Sequence, residues 1–167
     1  MKKLSIFLCC VLILQLLCAC SKKDEEILVP VNFYYSNKEF SYNTNSAVIH
    51  SELREGYGFE GNIALLIETY LRGPETSQLK SLIPLDVALV SCEQRDGHLE
   101  LTFSSEFAEL SGVKLTAACS ALLMTLHEFA DIETVVVCAL DCQLDDKNMF
   151  ELSIDDIVTL DSALNIE

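Results

Sequence analysis

The sequence predicts an α+β fold, a mostly antiparallel sheet with two helices packed on one face, in the order β-β-α-β-β-α-β. Three observations support this fold class. Two segments repeat apolar residues at helical spacing, an Asp-Gly pair joins two strand-like runs, and Thr134–Leu140 is apolar on both faces. The sequence has no internal repeat, and its length suits a single domain.

The first two strands are predicted by composition and by alternation. Val29–Tyr35 is rich in β-branched and aromatic residues, the composition of a strand. In Ala47–Arg54, Ile49 and Leu53 face one way and the residues at even-numbered positions face the other. We therefore expect a half-buried second strand whose polar face lies in solvent. That second face carries Val48, His50, Glu52 and Arg54.

An apolar stripe predicts the first helix over Asn62–Arg72. Its residues fall at i, i+3, i+4, i+7 and i+8, the spacing of one helix face turned towards a core. Gly73 follows at the usual C-cap position, and Pro74 prevents the helix from continuing. The stripe consists of Ile63, Leu66, Ile67, Tyr70 and Leu71.

Asp96-Gly97 joins two strand-like runs, Ala88–Arg95 and His98–Ser104. An Asp-Gly pair between such runs is the strongest short signal of a hairpin, because both turn residues must take positive φ. The sequence therefore predicts two antiparallel strands here. The inward face of the second strand is marked by Leu99, Leu101 and Phe103.

A second helix and a central strand complete the predicted fold. The apolar run Thr134–Leu140 has no polar face, so we expect a strand with neighbours on both sides. Met149–Ile154 could add an edge strand after a polar turn. The helix before them again shows helical spacing of its apolar residues, which are Leu115, Ala118, Cys119, Leu122, Leu123 and Leu126.

The N-terminal segment matches a secretory signal peptide. Lys2 and Lys3 form a positive n-region, and Leu4–Leu17 is an apolar h-region. Its end, Leu17-Cys18-Ala19-Cys20, resembles the bacterial lipobox, in which the cysteine thiol receives a diacylglyceryl group and the preceding peptide is cleaved. An uncleaved anchor helix is the alternative, but Leu4–Ala19 is shorter than the span of about 20 residues that a bilayer requires.

The lipobox resemblance implies lipidation of Cys20 and sets the domain boundaries. Residues 1–19 would form the lipoprotein signal peptide. Residues 20–28 would hold the lipidated cysteine and a flexible tether, because Ser21–Glu26 is polar and charged. Residues 29–160 would form one domain, followed by a C-terminal tail at 161–167. We therefore expect a cell-membrane protein, lipid-anchored on the extracytoplasmic face.

The charge balance restricts the partners. The chain has 26 Asp and Glu against 11 Lys and Arg, a net charge of −15, which becomes −17 once Lys2 and Lys3 leave with the signal. Such a balance disfavours nucleic acid and anionic lipid surfaces, since phosphate binding requires basic side chains. We expect no nucleic-acid partner, and membrane attachment through the acyl chains alone.

Four of the eight cysteines lie beyond Cys20. No Cys-x-x-Cys pair is present, and no histidine lies at zinc-finger spacing. Three of the four fall in apolar runs, where a free cysteine behaves as a small hydrophobic residue. The pattern favours buried thiols over a disulfide, and a disulfide over a metal site. The four residues are Cys92, Cys119, Cys138 and Cys142.

The sequence carries no recognisable catalytic motif such as Gly-x-Ser-x-Gly, a phosphate-binding Gly-rich loop or His-Glu-x-x-His. His127 lies about 80° around the helix from Cys119, which is poor for a catalytic pair. The histidines are interpreted as surface or boundary residues. A late acidic cluster lacks the EF-hand pattern and indicates a solvated surface rather than a weak divalent-ion site. We predict no enzyme, no catalytic residue, no cofactor and no metal. The remaining histidines are His50 and His98, and the cluster is Asp141, Asp145, Asp146, Asp155, Asp156 and Asp161.

An ordered set of residues over roughly Val31–Leu140 carries a family resemblance. A helix ends before Gly73-Pro74, and an Ile83-Pro84 pair and a hairpin glycine, Gly97, follow. Behind a lipobox, this set resembles the GerMN domain of GerM-like sporulation and spore-germination lipoproteins. Further matching positions are Leu71, Ser104, Phe107, Thr125, Leu126 and the apolar strand Val135–Leu140.

The resemblance implies an α+β fold and a non-enzymatic interaction module of envelope assembly, sporulation or spore germination. We therefore expect a membrane-anchored extracytoplasmic lipoprotein whose domain binds another envelope protein or cell-wall material. A solute- or peptide-binding lipoprotein is the alternative, which a deep pocket of convergent polar groups would favour. A wall hydrolase is a third interpretation and would require a nucleophile and a base in contact.

Overall fold

The computed structural model describes residues 30–39, 49–54, 59, 61–95 and 98–157. These residues form seven strands, two α-helices and two short 3-10 helices, in two sheets. The predicted signal peptide, Cys20 with its tether, the Asp96-Gly97 turn and the tail at 161–167 lie outside the described residues. Of the helices that are described, none is both long and apolar enough to cross a membrane.

The first sheet has three strands in the order β2-β1-β3. Strand β1 (Val31–Asn37) pairs antiparallel with β2 (Ile49–Arg54) along most of its length, and with β3 (Leu79–Lys80) at its C-terminal end. The first two strands confirm the prediction. Strand β3 was not predicted, because two residues are too few to show an alternation.

The second sheet has four strands in the order β4-β5-β6-β7. Strands β4 (Leu89–Arg95) and β5 (His98–Phe103) form the predicted antiparallel pair. Strand β6 (Thr134–Ala139) lies between β5 and β7 (Phe150–Ser153), which confirms both the central and the edge strand. Strand β6 runs parallel to β5 and antiparallel to β7. The fold is therefore α+β and mostly antiparallel, with two sheets in place of one.

The helices agree closely with the predicted periodicity. Helix α1 (Ile63–Leu71) begins at Asn62, whose Oδ1 accepts a hydrogen bond from the amide of Leu65. Helix α2 (Gly112–Ala130) follows a 3-10 turn and ends at Asp131, which takes the left-handed conformation with φ 54°. Helix α2 carries the chain from the end of β5 back to the start of β6, the crossover that a parallel strand pair requires.

One continuous core joins both sheets and both helices. Helix α2 packs against β1, where Thr125 Oγ1 accepts a hydrogen bond of 3.1 Å from the amide of Tyr34. The opposite face of the second sheet remains open, since Glu100 and Glu151 on it are exposed. The residues predicted to face inward from β5, namely Leu99, Leu101 and Phe103, are buried in the core.

The predicted orientation of β2 was wrong. Leu53 is 63% exposed, whereas the side chains expected in solvent, Glu52 and Arg54, are buried. The residues alternate as predicted, but Glu52 and Arg54 turn inward, whereas His50 on the same face is exposed. Burial of these two charges is possible because they form an ion pair with each other and hydrogen bonds with the loop after α1.

Candidate functional site

Four of the residues that carry the family resemblance, Gly73, Pro74, Ile83 and Pro84, meet at one open cleft of about 510 Å³. Gly73-Pro74, just after α1, and Ile83-Pro84, in the loop after β3, both line it. Strand β3 forms another part of the lining. Residues from two separate loops therefore converge on one concave surface, which makes this cleft the candidate binding site.

The chain turns away from α1 at Gly73. Its φ is +85°, and its amide donates a hydrogen bond of 3.0 Å to the carbonyl oxygen of Tyr70. A Cβ at this position would lie 3.3 Å from Leu85 Cδ2, a tighter contact than side chains normally make. Glycine is therefore favoured both by the left-handed conformation and by the approach of Leu85.

Arg54 contacts the Gly73 turn from its buried side. Its Nη2 donates to the carbonyl oxygen of Gly73 at 2.8 Å and to the hydroxyl of Tyr35 at 3.3 Å. The guanidinium also lies over the ring of Phe33, 4.6 Å from the ring centroid. These contacts attach the loop after α1 to strands β1 and β2.

Glu52 completes this buried frame. Its carboxylate accepts hydrogen bonds from Arg54 Nε at 2.7 Å, from the amide of Thr76 at 2.7 Å and from the amide of Glu75 at 3.1 Å. Burial acts to raise the pKa of Glu52, but these hydrogen bonds outweigh it and lower the pKa from 4.5 to about 2. The carboxylate therefore stays ionised at neutral pH and fixes the loop.

The second motif loop is held by Ser81. Its hydroxyl donates to the carbonyl oxygen of Ile83 at 2.6 Å and accepts from the amide of the same residue at 3.1 Å. The side chain of Ile83 is buried, and the amide of Val87 donates to the carbonyl oxygen of Pro84. The loop is thereby anchored, and it presents Leu85 at the rim with 72% of its surface exposed.

The cleft is basic in an acidic protein. Lys38, Arg72 and Lys80 all line it, whereas the described residues of its lining include no aspartate or glutamate. Among the residues that the structure describes, none of these three cations forms an ion pair. No local pattern indicates this cluster, since β1, α1 and β3 bring the three residues together from distant positions.

The described histidines and cysteines do not line the cleft. His50 and His98 are exposed, and the Nδ1 atom of His127 lies 3.1 Å from the carbonyl oxygen of Ile132 at the end of α2. Cys119 is buried, and burial raises the pKa of its thiol to about 12, so the thiolate nucleophile does not form near neutral pH.

The four cysteines of the domain are free thiols, as the leading interpretation of the sequence held. Cys119 is fully buried, but Cys92 and Cys138 are only half-buried, so the expectation of three fully buried thiols holds for one of them. The described residues contain no group of histidine, cysteine and acidic side chains arranged to hold a metal ion.

Several acidic residues of the late cluster have structural roles in the nearby backbone. Asp145 Oδ2 accepts a hydrogen bond of 2.9 Å from the amide of Gly112, the first residue of α2. Asp156 Oδ2 accepts from the amide of Ser153 in a capping box. Asp141 takes a left-handed turn conformation, which aspartate tolerates better than most residues. Asp161 lies outside the described residues.

The sequence pattern did not single out Glu52 and Arg54, which hold one loop of the candidate site. Opposite charges two residues apart in a strand lie on one face and can pair, so the spacing offered a weak signal. Their burial depends on Gly73, Glu75 and Thr76, whose proximity only the fold reveals.

Comparison with known proteins identifies the family. The model of the family Germane, described as sporulation and spore germination, matches residues 32–139. This range agrees with the span of the GerMN resemblance found in the sequence. Among curated proteins, none matches the chain significantly.

Three solved structures share the fold. A candidate lipoprotein from Clostridium perfringens aligns at 18% identity with a TM-score of 0.50, over 78% of this chain and 90% of its own. The first GerMN domain of the sporulation protein GerM from Bacillus subtilis aligns at 20% identity and 0.58, over 77% and 99%. The tandem GerMN domains of that protein align at 21% identity and 0.59, over 81% of this chain and 49% of theirs.

This chain therefore spans about half of the tandem structure, the length of one GerMN domain. The structural likeness establishes the fold, and the family match extends over well more than half of the chain. The chain belongs to the Germane family of sporulation and spore germination.

Proposed function

We propose that this protein is an extracytoplasmic lipoprotein, anchored through acyl chains on Cys20, whose GerMN domain is a non-enzymatic module that docks another envelope protein. Membership of the Germane family supports a place in sporulation or spore germination. The lipobox-like sequence before Cys20 supports the anchor, as does the similarity to a candidate lipoprotein. The acyl chains would hold the domain at the membrane, where a partner meets it.

One observation supports the proposal: four residues of the family motif line one cleft, and hydrogen bonds hold the loops that carry them. Gly73-Pro74 and Ile83-Pro84 line the same surface, and the buried pair of Glu52 and Arg54 fixes the first of these loops. A preorganised surface loses little conformational entropy when a partner docks, so rigidity of this kind favours binding. The motif therefore has a direct role in recognition beyond ending a helix.

The same cleft favours a second candidate function, a lipoprotein that binds a solute or peptide. Its volume of about 510 Å³ lies within the range of small-molecule sites. The two candidates differ in what is captured: a folded or extended part of an envelope protein in the first, and a diffusible ligand in the second.

Site-specific photo-crosslinking tests the docking function. A photoreactive amino acid at Leu85, on the cleft rim, is compared with one at Val113, which is similarly exposed and does not line the cleft. We expect the Leu85 probe to capture one defined envelope protein in whole cells and the Val113 probe to capture none. Equal capture by both probes, or capture of a small solute alone, would reject the docking function.

Palmitate labelling tests the anchor in the same cells. We expect the wild-type protein to incorporate labelled palmitate and to sediment with membranes, because the Cys20 thiol accepts the lipid. The Cys20→Ala protein should incorporate no label and should accumulate as precursor or in the soluble fraction. Palmitate on the Cys20→Ala protein would show that Cys20 is not the lipidation site.

A further inference from the structure

We propose that the cleft binds an acidic polypeptide segment of the partner, with an aliphatic side chain next to its carboxylates. This inference rests on the proposed function and deepens it, because it names the chemistry of the partner. It is carried by the charge of the cleft, by its apolar surface and by the sheet edge that runs along it.

The charge of the cleft is opposite to that of the protein. The net charge of the chain is −15, yet three of the seven described lysines and arginines, Lys38, Arg72 and Lys80, line this one surface. A cleft lined by one sign of charge, with apolar walls, concentrates the field and attracts ligands of the opposite sign. An acidic segment is therefore the ligand that this surface favours.

These three cations differ from Arg54 and Arg95. Arg54 is paired with Glu52, and Arg95 with Glu93, so each has an intramolecular role. Within the described part of the chain, Lys38, Arg72 and Lys80 pair with no carboxylate. Their charges are therefore available to a partner.

The walls of the cleft are apolar. Leu79 and Ile83 are buried beneath it, and Leu85 stands 72% exposed at its rim. An isolated carboxylate or inorganic anion would leave the exposed leucine in water. A segment that places an aliphatic side chain against Leu85 removes this apolar surface from solvent, which is favourable.

The sheet edge favours a polypeptide over a phosphate polymer. Strand β3 is the last strand of its sheet within the described residues. The carbonyl oxygen of Gln78, just before Leu79, points towards the β1 side, because it accepts a hydrogen bond from the amide of Lys38. Alternate residues of an antiparallel strand direct their backbone groups to opposite sides, so the carbonyl of Leu79 points away from β1. No described residue donates to that carbonyl. An extended peptide can donate to it, as in β-strand addition.

Fluorescence anisotropy with the full-length, detergent-solubilised protein tests the proposal. The probe is a fluorescein-labelled hexapeptide of alternating leucine and glutamate. Its glutamine counterpart removes the charge, a serine and glutamate peptide removes the apolar side chains, and polyphosphate supplies anionic charge without amides. We expect the leucine and glutamate peptide to bind most tightly, with an affinity that falls as salt rises.

Matched variants locate the site. The double variant Lys38→Gln, Lys80→Gln should weaken binding of this peptide about fivefold, the effect of losing two exposed ion pairs. The control Lys114→Gln, Lys147→Gln removes the same charge outside the cleft and should change affinity less than twofold. All four lysines are exposed or half-buried, so we expect both proteins to fold.

Three results would overturn the inference. Equal weakening in the two double variants would show non-specific charge attraction. Tighter binding of polyphosphate than of the peptide would assign the cleft to phosphate chemistry. Absence of peptide binding, together with a defined protein captured by the photoreactive group at Leu85, would reject the acidic segment while leaving the docking function intact.

Discussion

Arg54 donates a hydrogen bond of 2.8 Å to the carbonyl oxygen of Gly73 and so ties strand β2 to the turn that ends α1. The bond is buried, and the guanidinium that makes it is neutralised by Glu52 at 2.7 Å. This pair explains why β2 turns its charged face inward. Arg54 and Glu52 attach the loop after α1 through hydrogen bonds, which apolar side chains in the same place could not form.

Arg54→Met should lower the free energy of unfolding by about 3–5 kcal/mol. The substitution retains most of the side-chain volume, but it leaves the carboxylate of Glu52 buried without its cation and the carbonyl of Gly73 without its donor. Urea unfolding followed by circular dichroism measures the loss. Arg95→Met, which breaks an exposed pair with Glu93, should cost less than about 1 kcal/mol. Similar losses in the two proteins would contradict the stabilising role assigned to Arg54.

The pKa of Glu52 predicts a loss of stability in acid. Because the fold lowers this pKa from 4.5 to about 2, the folded state binds the proton less readily than the unfolded state. The contribution of about 3 kcal/mol is complete above the unfolded pKa and decreases as the pH falls towards about 2. Urea unfolding between pH 7 and pH 2 measures this dependence.

The Glu52→Gln protein isolates this effect, because the substitution removes the carboxylate of Glu52 and keeps every other carboxylate of the chain. The difference in unfolding free energy between wild type and variant should be largest near pH 7 and should shrink in acid. Glu93→Gln, at an exposed position, provides the control and should show little difference at any pH. A difference between wild type and Glu52→Gln that stays constant down to pH 2 would argue against the lowered pKa.

Two stacked tyrosines should respond in opposite ways to loss of their hydroxyl groups. The rings of Tyr35 and Tyr70 lie 4.9 Å apart, both buried. The hydroxyl of Tyr35 donates to the carbonyl oxygen of Tyr70 and accepts from Arg54, whereas the hydroxyl of Tyr70 has no partner among the described residues. A buried polar group without a partner is unfavourable, and a satisfied one is worth about 1 kcal/mol.

We therefore expect Tyr70→Phe to leave the unfolding free energy unchanged or to raise it by about 1 kcal/mol, and Tyr35→Phe to lower it by about 1 kcal/mol. Thermal unfolding of the two variants, each measured against wild type, decides between these signs. A destabilised Tyr70→Phe protein would mean that the hydroxyl of Tyr70 has a partner, such as a buried water.

Local patterns predicted most elements, because the long periodic segments contain their own signal. The first helix was expected over Asn62–Arg72 and is Ile63–Leu71, and the central strand was expected over Thr134–Leu140 and is Thr134–Ala139. Pairing between distant segments was less accessible. The division into two sheets and the parallel run of β5 beside β6 depend on contacts that no local period encodes.

The candidate site was predictable only in part, for the same reason. The motif residues Gly73-Pro74 and Ile83-Pro84 were found by resemblance, and the structure places them on one cleft. Glu52 was predicted to lie in solvent and is buried, because a polar face is expected in solvent unless its partners are known. The grouping of Lys38 with Lys80 follows from the pairing of β1 with β3, which two residues of strand could not reveal.

Gly73 and Gly61 provide the test of how tightly the turn after α1 fits against the rim of the cleft. Both residues have positive φ, +85° and +69°, so a side chain at either position meets the strain of the left-handed region, about 1–2 kcal/mol. Among the described residues, an added Cβ at Gly73 would lie 3.3 Å from Leu85 and 4.0 Å from Ser81, whereas one at Gly61 would meet no residue within 4 Å. Gly73→Val should therefore lower the unfolding free energy by more than Gly61→Val does, and it should also weaken binding of the acidic peptide by displacing Leu85. Urea unfolding and fluorescence anisotropy measure the two effects.

Adding Leu85→Ala to both valine proteins should abolish the difference in stability. A difference that persists would show that the contact with Leu85 is not its cause.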